Sequence, residues 1–224
     1  MSQMRIMAGP FRGMKYVDEA CGSSLHPKLL GTYERELFPI VESFRATPLD
    51  LVIDIGAAEG YYAVGLLHAG IARKVIAYEA EEAGRRLLRK MAAANGVEDR
   101  LTIKGMCAPA DLQREFEALG DGRALLVMDV EGAESALLDP DLAPGLRRTP
   151  VLVELHELCA PGILGTIRER FAASHRITRI DPEPRRMEEN LCGSGLVRLF
   201  PEHIRAFPLF ERGVMTPWFW MEPL

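Results

Sequence analysis

The sequence predicts an α/β fold: a single doubly wound, mostly parallel sheet behind an N-terminal extension of hairpin and helix. Three observations lead there. Short apolar runs alternate with helical stretches, the pattern of strands buried on both faces. The first of those runs, "LVIDIG", passes directly into the small-residue turn "AAEG" ending at Gly60. The 224 residues, 48% hydrophobic and 26% charged, are enough for one well-buried domain.

Each element follows in order. "MRIMAGPFRGMKYVDEACGSS" carries two glycine-bearing turn signals and suits a small hairpin. "HPKLLGTYERELFPIVESF" spaces Leu30, Tyr33, Leu37, Ile40, Val41 and Phe44 on one helical face, with Pro39 as a kink or break. These segments make an extension over 1–46, and "TPLD" leads into a domain over 47–224. The strands "LVIDIG", "KVIAYEA", "LTIKGM", "ALLVMDV" and "VLVELHE" then alternate with helices. The second of those helices, "EEAGRRLLRKMAAANG", ends in an Asn-Gly cap. "RITRID" reads as a sixth strand, "PEPRRMEENLCGSG" as a polar loop and "LVRLF" as a further strand. The tail "GVMTPWFWMEPL" suits a final strand on the sheet edge.

Charge and cysteine usage narrow the function classes. A net charge of −5 offers no general footprint for nucleic acid or an anionic membrane. The basic patches, Arg85, Arg86, Arg89 with Lys90 and Arg185 with Arg186, read as solvated surface. Cys21, Cys107, Cys159 and Cys192 form no C-x-x-C pair, so they read as reduced, mostly buried thiols. No signal-peptide core and no membrane-spanning run stand out, so the expected compartment is cytoplasmic. The expected partner is a small-molecule acceptor, with self-association left open.

The turn after the first strand carries the most chemistry. Open parallel sheets bind ligands beyond the carboxyl ends of their strands. Small residues at Gly56, Ala57, Ala58 and Gly60 would let a ligand approach the backbone. A dinucleotide fingerprint needs a glycine where Tyr61 stands, and a P-loop needs Gly-Lys-Ser/Thr, which is absent. Asp54 and Glu59 flank the turn and suit a ligand with positive charge and hydroxyls, not phosphates. Glu79, at the end of the second strand, can accept hydrogen bonds from ribose hydroxyls.

"VIDIGAAEG" resembles motif I of the class I S-adenosylmethionine-dependent methyltransferases. Asp54, Gly56 and Gly60 match it, while Ala58 replaces the middle glycine. "LVMDVEGAE" resembles the FkbM-type branch, whose fourth strand commonly ends in D-x-E-G-x-E, here Asp129, Glu131, Gly132 and Glu134. "VLVELHE" resembles that branch's fifth strand through the E-x-H pair Glu154 and His156. The resemblance covers roughly 29–181. It implies a Rossmann-like fold, S-adenosyl-L-methionine as cofactor, and a cofactor site over Asp54, Gly56, Ala57, Ala58, Glu59, Gly60 and Glu79. Tyr33, and Glu34 beside it, are candidates either for a lid over that site or for capping and packing the domain.

For the chemistry, Asp129, Glu154 and His156 fall at the ends of adjacent strands. Glu154 and His156 share a face because strand residues repeat every two. His156 is the candidate base, since imidazole titrates near neutrality; the alternative is a structural histidine bonded to Glu154 or to backbone. The same three side chains are an oxygen and nitrogen set that Mg2+ or a similar ion could use, although spacing does not establish a metal. "DVEG" stands where amine-directed nucleobase methyltransferases carry a Pro-Pro-aromatic run, so an oxygen acceptor on a small molecule or sugar is expected. Two alternatives stay open: an NAD(P)-dependent oxidoreductase, and a non-catalytic S-adenosylmethionine-binding domain that uses its Trp-rich tail as an interface.

Overall fold

The computed structural model describes residues 4–183 and 216–224. Among the described residues, seven strands form one sheet in the order β3-β2-β1-β4-β5-β7-β6. They are β1 Leu49–Ile55, β2 Ala72–Tyr78, β3 Leu101–Lys104, β4 Ala124–Met128, β5 Val151–Glu154, β6 His175–Ile180 and β7 Trp218–Pro223. β1 pairs in parallel with β2 and β4, and β4 with β5. β7 runs antiparallel to both β5 and β6. The order of sequential strands reverses between β1 and β4, which makes their carboxyl ends the expected ligand crevice.

Alternate residues of one strand feed two cores. Val52 and Leu125 join a core on the face covered by α3 (Tyr61–His68) and α4 (Glu82–Asn95). Leu51, Ile53 and Leu126 join the opposite core, under α5 (Pro109–Leu119), the short α6 (Glu134–Leu137) and α7 (Ile163–Phe171). This two-sided burial is why the strands read as continuous apolar runs.

The N-terminal segment packs on the α3/α4 side, with Ile6, Phe11, Met14 and Tyr16 buried in the same core. Its expected hairpin is present: Arg5 bridges Lys15, and the Ile6 amide donates to Met14 O at 3.0 Å. The expected single helix after it is two. α1 (Leu25–Leu30) ends at Gly31 in a left-handed cap, and α2 (Phe38–Ser43) begins beside Pro39. Pro39 therefore starts a helix, where its missing N–H costs nothing, and the break comes earlier.

The tail differs from expectation as well. β7 is not the edge strand: it is inserted between β5 and β6, with Trp218 2% exposed and Trp220 packed edge-on against Phe44. Trp218 is thus core, and Trp220 is half-buried and packs against it. The cysteines also correct the expectation of mostly buried thiols, since Cys159 is exposed and Cys21 and Cys107 are half-buried. Arg85 and Arg89 both pair with Glu82; Arg89 is exposed as a solvated patch should be, but Arg85 is half-buried and also donates to the Glu79 and Ala80 carbonyls. The strand expected at "LVRLF", the loop before it, the Arg185–Arg186 patch and Cys192 lie outside the described residues. No described helix is long and apolar enough to cross a membrane.

Candidate active site

A cleft opens at the carboxyl ends of β1 and β4, bounded by the turn after β1 and by the N-terminal segment. The turn is pinned from below by the backbone. The Gly56 and Ala57 amides both donate to Tyr78 O at the end of β2, at 2.9 and 3.1 Å. Glu79 adds a side-chain tie, its Oε2 accepting from the Ala58 amide at 2.7 Å and its Oε1 from the Glu81 amide at 2.8 Å. Glu79 therefore shapes the turn.

The two glycines are required for a reason the sequence did not reveal. A side chain on Gly56 (φ +81°) would run into the Asp129 carbonyl oxygen, and one on Gly60 (φ +100°) into Leu88 of α4. The space they keep open is filled by the protein's own backbone and core. Ala58 adopts φ +49°, a left-handed conformation that strains any residue with a Cβ.

Asp54 ends up 3% exposed on the cleft wall. Burial raises its pKa to about 7; the Ala63 amide in the first turn of α3 works against that rise, and the charges of Asp129, Glu79 and Glu34 add to it. Its Oδ2 is buried with no hydrogen-bond partner. A buried carboxylate oxygen in that state is costly unless a ligand completes it.

Glu59 is placed differently from expectation. It is fully buried, and both carboxylate oxygens are engaged inside the protein. Oε1 accepts from Tyr16 Oη at 2.6 Å and pairs with Lys28, and Oε2 accepts from the Cys21 amide at 3.0 Å. Burial pushes its pKa up, but the Lys28 charge and these hydrogen bonds outweigh that and hold it below the usual carboxylate range. Glu59 thus ties down the N-terminal segment. Tyr33 and Glu34 line the cleft: Tyr33 stacks edge-on with Tyr61 at 5.1 Å, and Glu34 accepts from Tyr62 Oη. Glu34 is buried and has φ +50°, the kind of strain that collects at binding sites.

Asp129, Glu154 and His156 do converge. One donor atom from each lies within 4.8 Å of the others. His156 Nε2 is 3.5 Å from Asp129 Oδ1, while Nδ1 is 2.6 Å from Glu134 Oε1. Glu134, quoted in the motif but given no role from sequence, is the group that orients the imidazole. It is fully buried and also accepts from the Gly132 amide at 3.1 Å. Burial alone would raise its pKa; the His156 and amide hydrogen bonds bring it below the ordinary value. Burial would lower the His156 pKa, but the Glu134 hydrogen bond and the charges of Asp129 and Glu154 turn the shift upward. Glu154 accepts from Thr216 Oγ1, a residue that precedes β7, so the inserted strand supports this cluster.

Two carboxylates and one imidazole, with a carboxylate behind the imidazole, form a donor set that a divalent cation could use. The nitrogen donor suits Mn2+ or Zn2+ better than Mg2+, which prefers oxygen alone.

No family model matches the chain, and a search of curated proteins gives no match either. Solved structures do resemble it. An O-methyltransferase from Bacillus cereus in complex with SAH has a TM-score of 0.55 at 14% identity, over 85% of this chain and 80% of that one. TYW2 from P. horikoshii in complex with MeSAdo has a TM-score of 0.55 at 16% identity, over 95% of this chain and 69% of that one. Sp1610 of Streptococcus pneumoniae, a proposed tRNA (m1A22) methyltransferase, has 0.51 at 11%, over 82% and 69%. At these identities the likeness is one of architecture: the chain has the Rossmann-like fold of class I S-adenosylmethionine-dependent methyltransferases.

Proposed function

We propose that this protein is an S-adenosylmethionine-dependent methyltransferase of the FkbM-type branch that methylates a hydroxyl oxygen of a small molecule or sugar. The observation that carries the reading is Asp54. It is a buried carboxylate with an unpartnered oxygen, in a cleft also lined by Glu34 and Asp129. That field suits a ligand bearing sulfonium and ammonium charges, and it repels a pyrophosphate. The antiparallel β7 supports the same reading, because the usual dinucleotide fold keeps its six strands parallel in the order 3-2-1-4-5-6. The acidic cluster at the acceptor end likewise disfavours a polyanionic nucleic acid.

The cofactor brings an activated methyl group, so the protein must position the acceptor and remove its proton. The acceptor oxygen attacks the methyl carbon, the carbon–sulfur bond breaks, and its electron pair stays on sulfur as a neutral thioether. His156 Nε2 takes the hydroxyl proton, while Glu134 holds Nδ1 and stabilises the imidazolium that forms. A divalent cation on Asp129, Glu154 and His156 would instead supply Lewis acidity that ionises the acceptor hydroxyl. Chelator distinguishes the two: activity that survives it supports the base, and activity restored by Mn2+ or Mg2+ supports the metal.

Titration calorimetry with S-adenosylmethionine, S-adenosylhomocysteine and NAD tests the cofactor reading. Micromolar binding of the first two with no NAD heat is expected. NAD binding without the others would favour an oxidoreductase. Cofactor binding with no methyl transfer to any hydroxyl acceptor would leave a non-catalytic binding domain.

A further inference from the structure

Among the described residues, those that line the cleft include four acids, Glu34, Asp54, Glu59 and Asp129, and one base, Lys28. Lys28 is 3% exposed, on the short helix α1 of the N-terminal extension. Three groups fix its ammonium. Glu59 pairs with it from one side, and the rings of Tyr33 and Tyr61 lie 4.9 and 5.8 Å away. Aromatic faces hold an ammonium without cancelling its charge. Glu59 takes one of its three donors. Glu59 is itself immobilised by Tyr16 and the Cys21 amide, so the ammonium sits at a fixed point on the wall.

The proposed cofactor has an amino-acid end with a carboxylate and an ammonium. In a cleft of carboxylates the ammonium is readily accommodated, but a ligand carboxylate would be repelled unless a cation met it. We propose that Lys28 is the residue that reads the carboxylate of the cofactor's amino-acid end, with Glu34 and Asp54 supplying the opposite charge for its ammonium. The assignment rests on the methyltransferase reading and makes the N-terminal extension part of the cofactor site. Glu59, within the motif, then acts through Lys28 as a positioning residue. It also explains why a buried ion pair is kept on a ligand-facing wall, where apolar packing would usually be at least as stable.

The test compares S-adenosylhomocysteine with methylthioadenosine, which carries the same nucleoside thioether but no amino-acid end. Wild-type protein should prefer S-adenosylhomocysteine by about tenfold or more, as a charge-assisted contact should give. Lys28→Met combined with Glu59→Gln removes both members of the pair, so neither is left buried alone. The double variant should lose that preference while methylthioadenosine affinity stays within about twofold. An unchanged preference in the folded double variant would overturn the assignment. If the double variant does not fold, the carboxyl methyl ester of S-adenosylhomocysteine on wild-type protein decides: weakening by about tenfold supports a carboxylate reader, and equal affinity refutes it. Lys28→Arg, which keeps the charge, should retain most of the preference, and its full loss would argue for shape alone. Wild-type protein that binds neither nucleoside would overturn the cofactor reading itself. Binding of S-adenosylhomocysteine with an unaltered ratio in the variant overturns only Lys28.

Discussion

The turn after β1 and the cluster at the ends of β4 and β5 lie side by side, yet they are held by different physics. Backbone hydrogen bonds to Tyr78 O and close contact with the Asp129 carbonyl fix the turn. The cluster depends on side-chain charge: His156 between Glu134 and Asp129, and Glu154 under Thr216. Substitutions in the turn should therefore act first on folding, and substitutions in the cluster first on chemistry and pH dependence.

The largest expected effect is at Gly56. Gly56→Val places a branched side chain at φ +81° against a backbone oxygen that cannot yield. A loss of more than about 4 kcal/mol, enough to unfold a marginal domain, should appear in denaturant melts. A folded, normally stable Gly56→Val protein would break the claim that the turn is set by packing. Next is His156→Ala, expected to keep cofactor binding and lose roughly 10²–10⁴-fold in turnover if His156 is the base. Because the His156 pKa is raised, wild-type turnover should climb with pH above the ordinary imidazole range. Full activity in His156→Ala, insensitive to chelator, would leave the reaction to proximity alone.

A smaller effect is the pH dependence of stability from Asp54. Its folded pKa of about 7 lies above the unfolded value. The contribution is thus fully present below about pH 4 and lost as pH rises through about 7. The Asp54→Asn variant should flatten that slope in melts of the ligand-free protein. The smallest effect is at Ala58. Ala58→Gly relieves the strain at φ +49° but adds freedom to the unfolded chain, so a change within about 1 kcal/mol is expected, with binding retained. A large loss of stability would mean that the methyl group packs more than its conformation costs.

The same contrast explains what could be read from sequence. The β1 to β5 strands were legible because burial on both faces writes itself as apolar runs, and Asn95–Gly96 because a left-handed cap needs glycine. The antiparallel insertion of β7 was not, since an aromatic run such as Trp218, Phe219 and Trp220 says neither which strands it pairs with nor in which direction. The convergence of Asp129, Glu154 and His156 followed from strand ends and period. Glu134 was visible as a motif residue, but nothing local says that it reaches His156 across 22 positions. Lys28 had no signal at all: a lysine between Pro27 and Leu29 looks like surface until tertiary packing brings Glu59 beside it. Single charges buried by distant partners are invisible to periodicity, and three of this site's important contacts are of that kind: Lys28–Glu59, Tyr62–Glu34 and His156–Glu134.

The central claim is that the cleft is built for a cationic cofactor, with Asp54 as its buried counter-charge. Calorimetric titration of S-adenosylmethionine at pH 6 and pH 8, on wild-type protein and Asp54→Asn, tests it most directly. A cation must bind the ionised carboxylate, and with a free-state pKa of about 7 the ionised fraction rises about tenfold across that interval. Wild-type affinity should rise by about that factor, while the Asp54→Asn variant should bind more weakly and with no such dependence. Absence of S-adenosylmethionine binding at both pH values, or binding by Asp54→Asn equal to wild type at pH 8, would contradict the account.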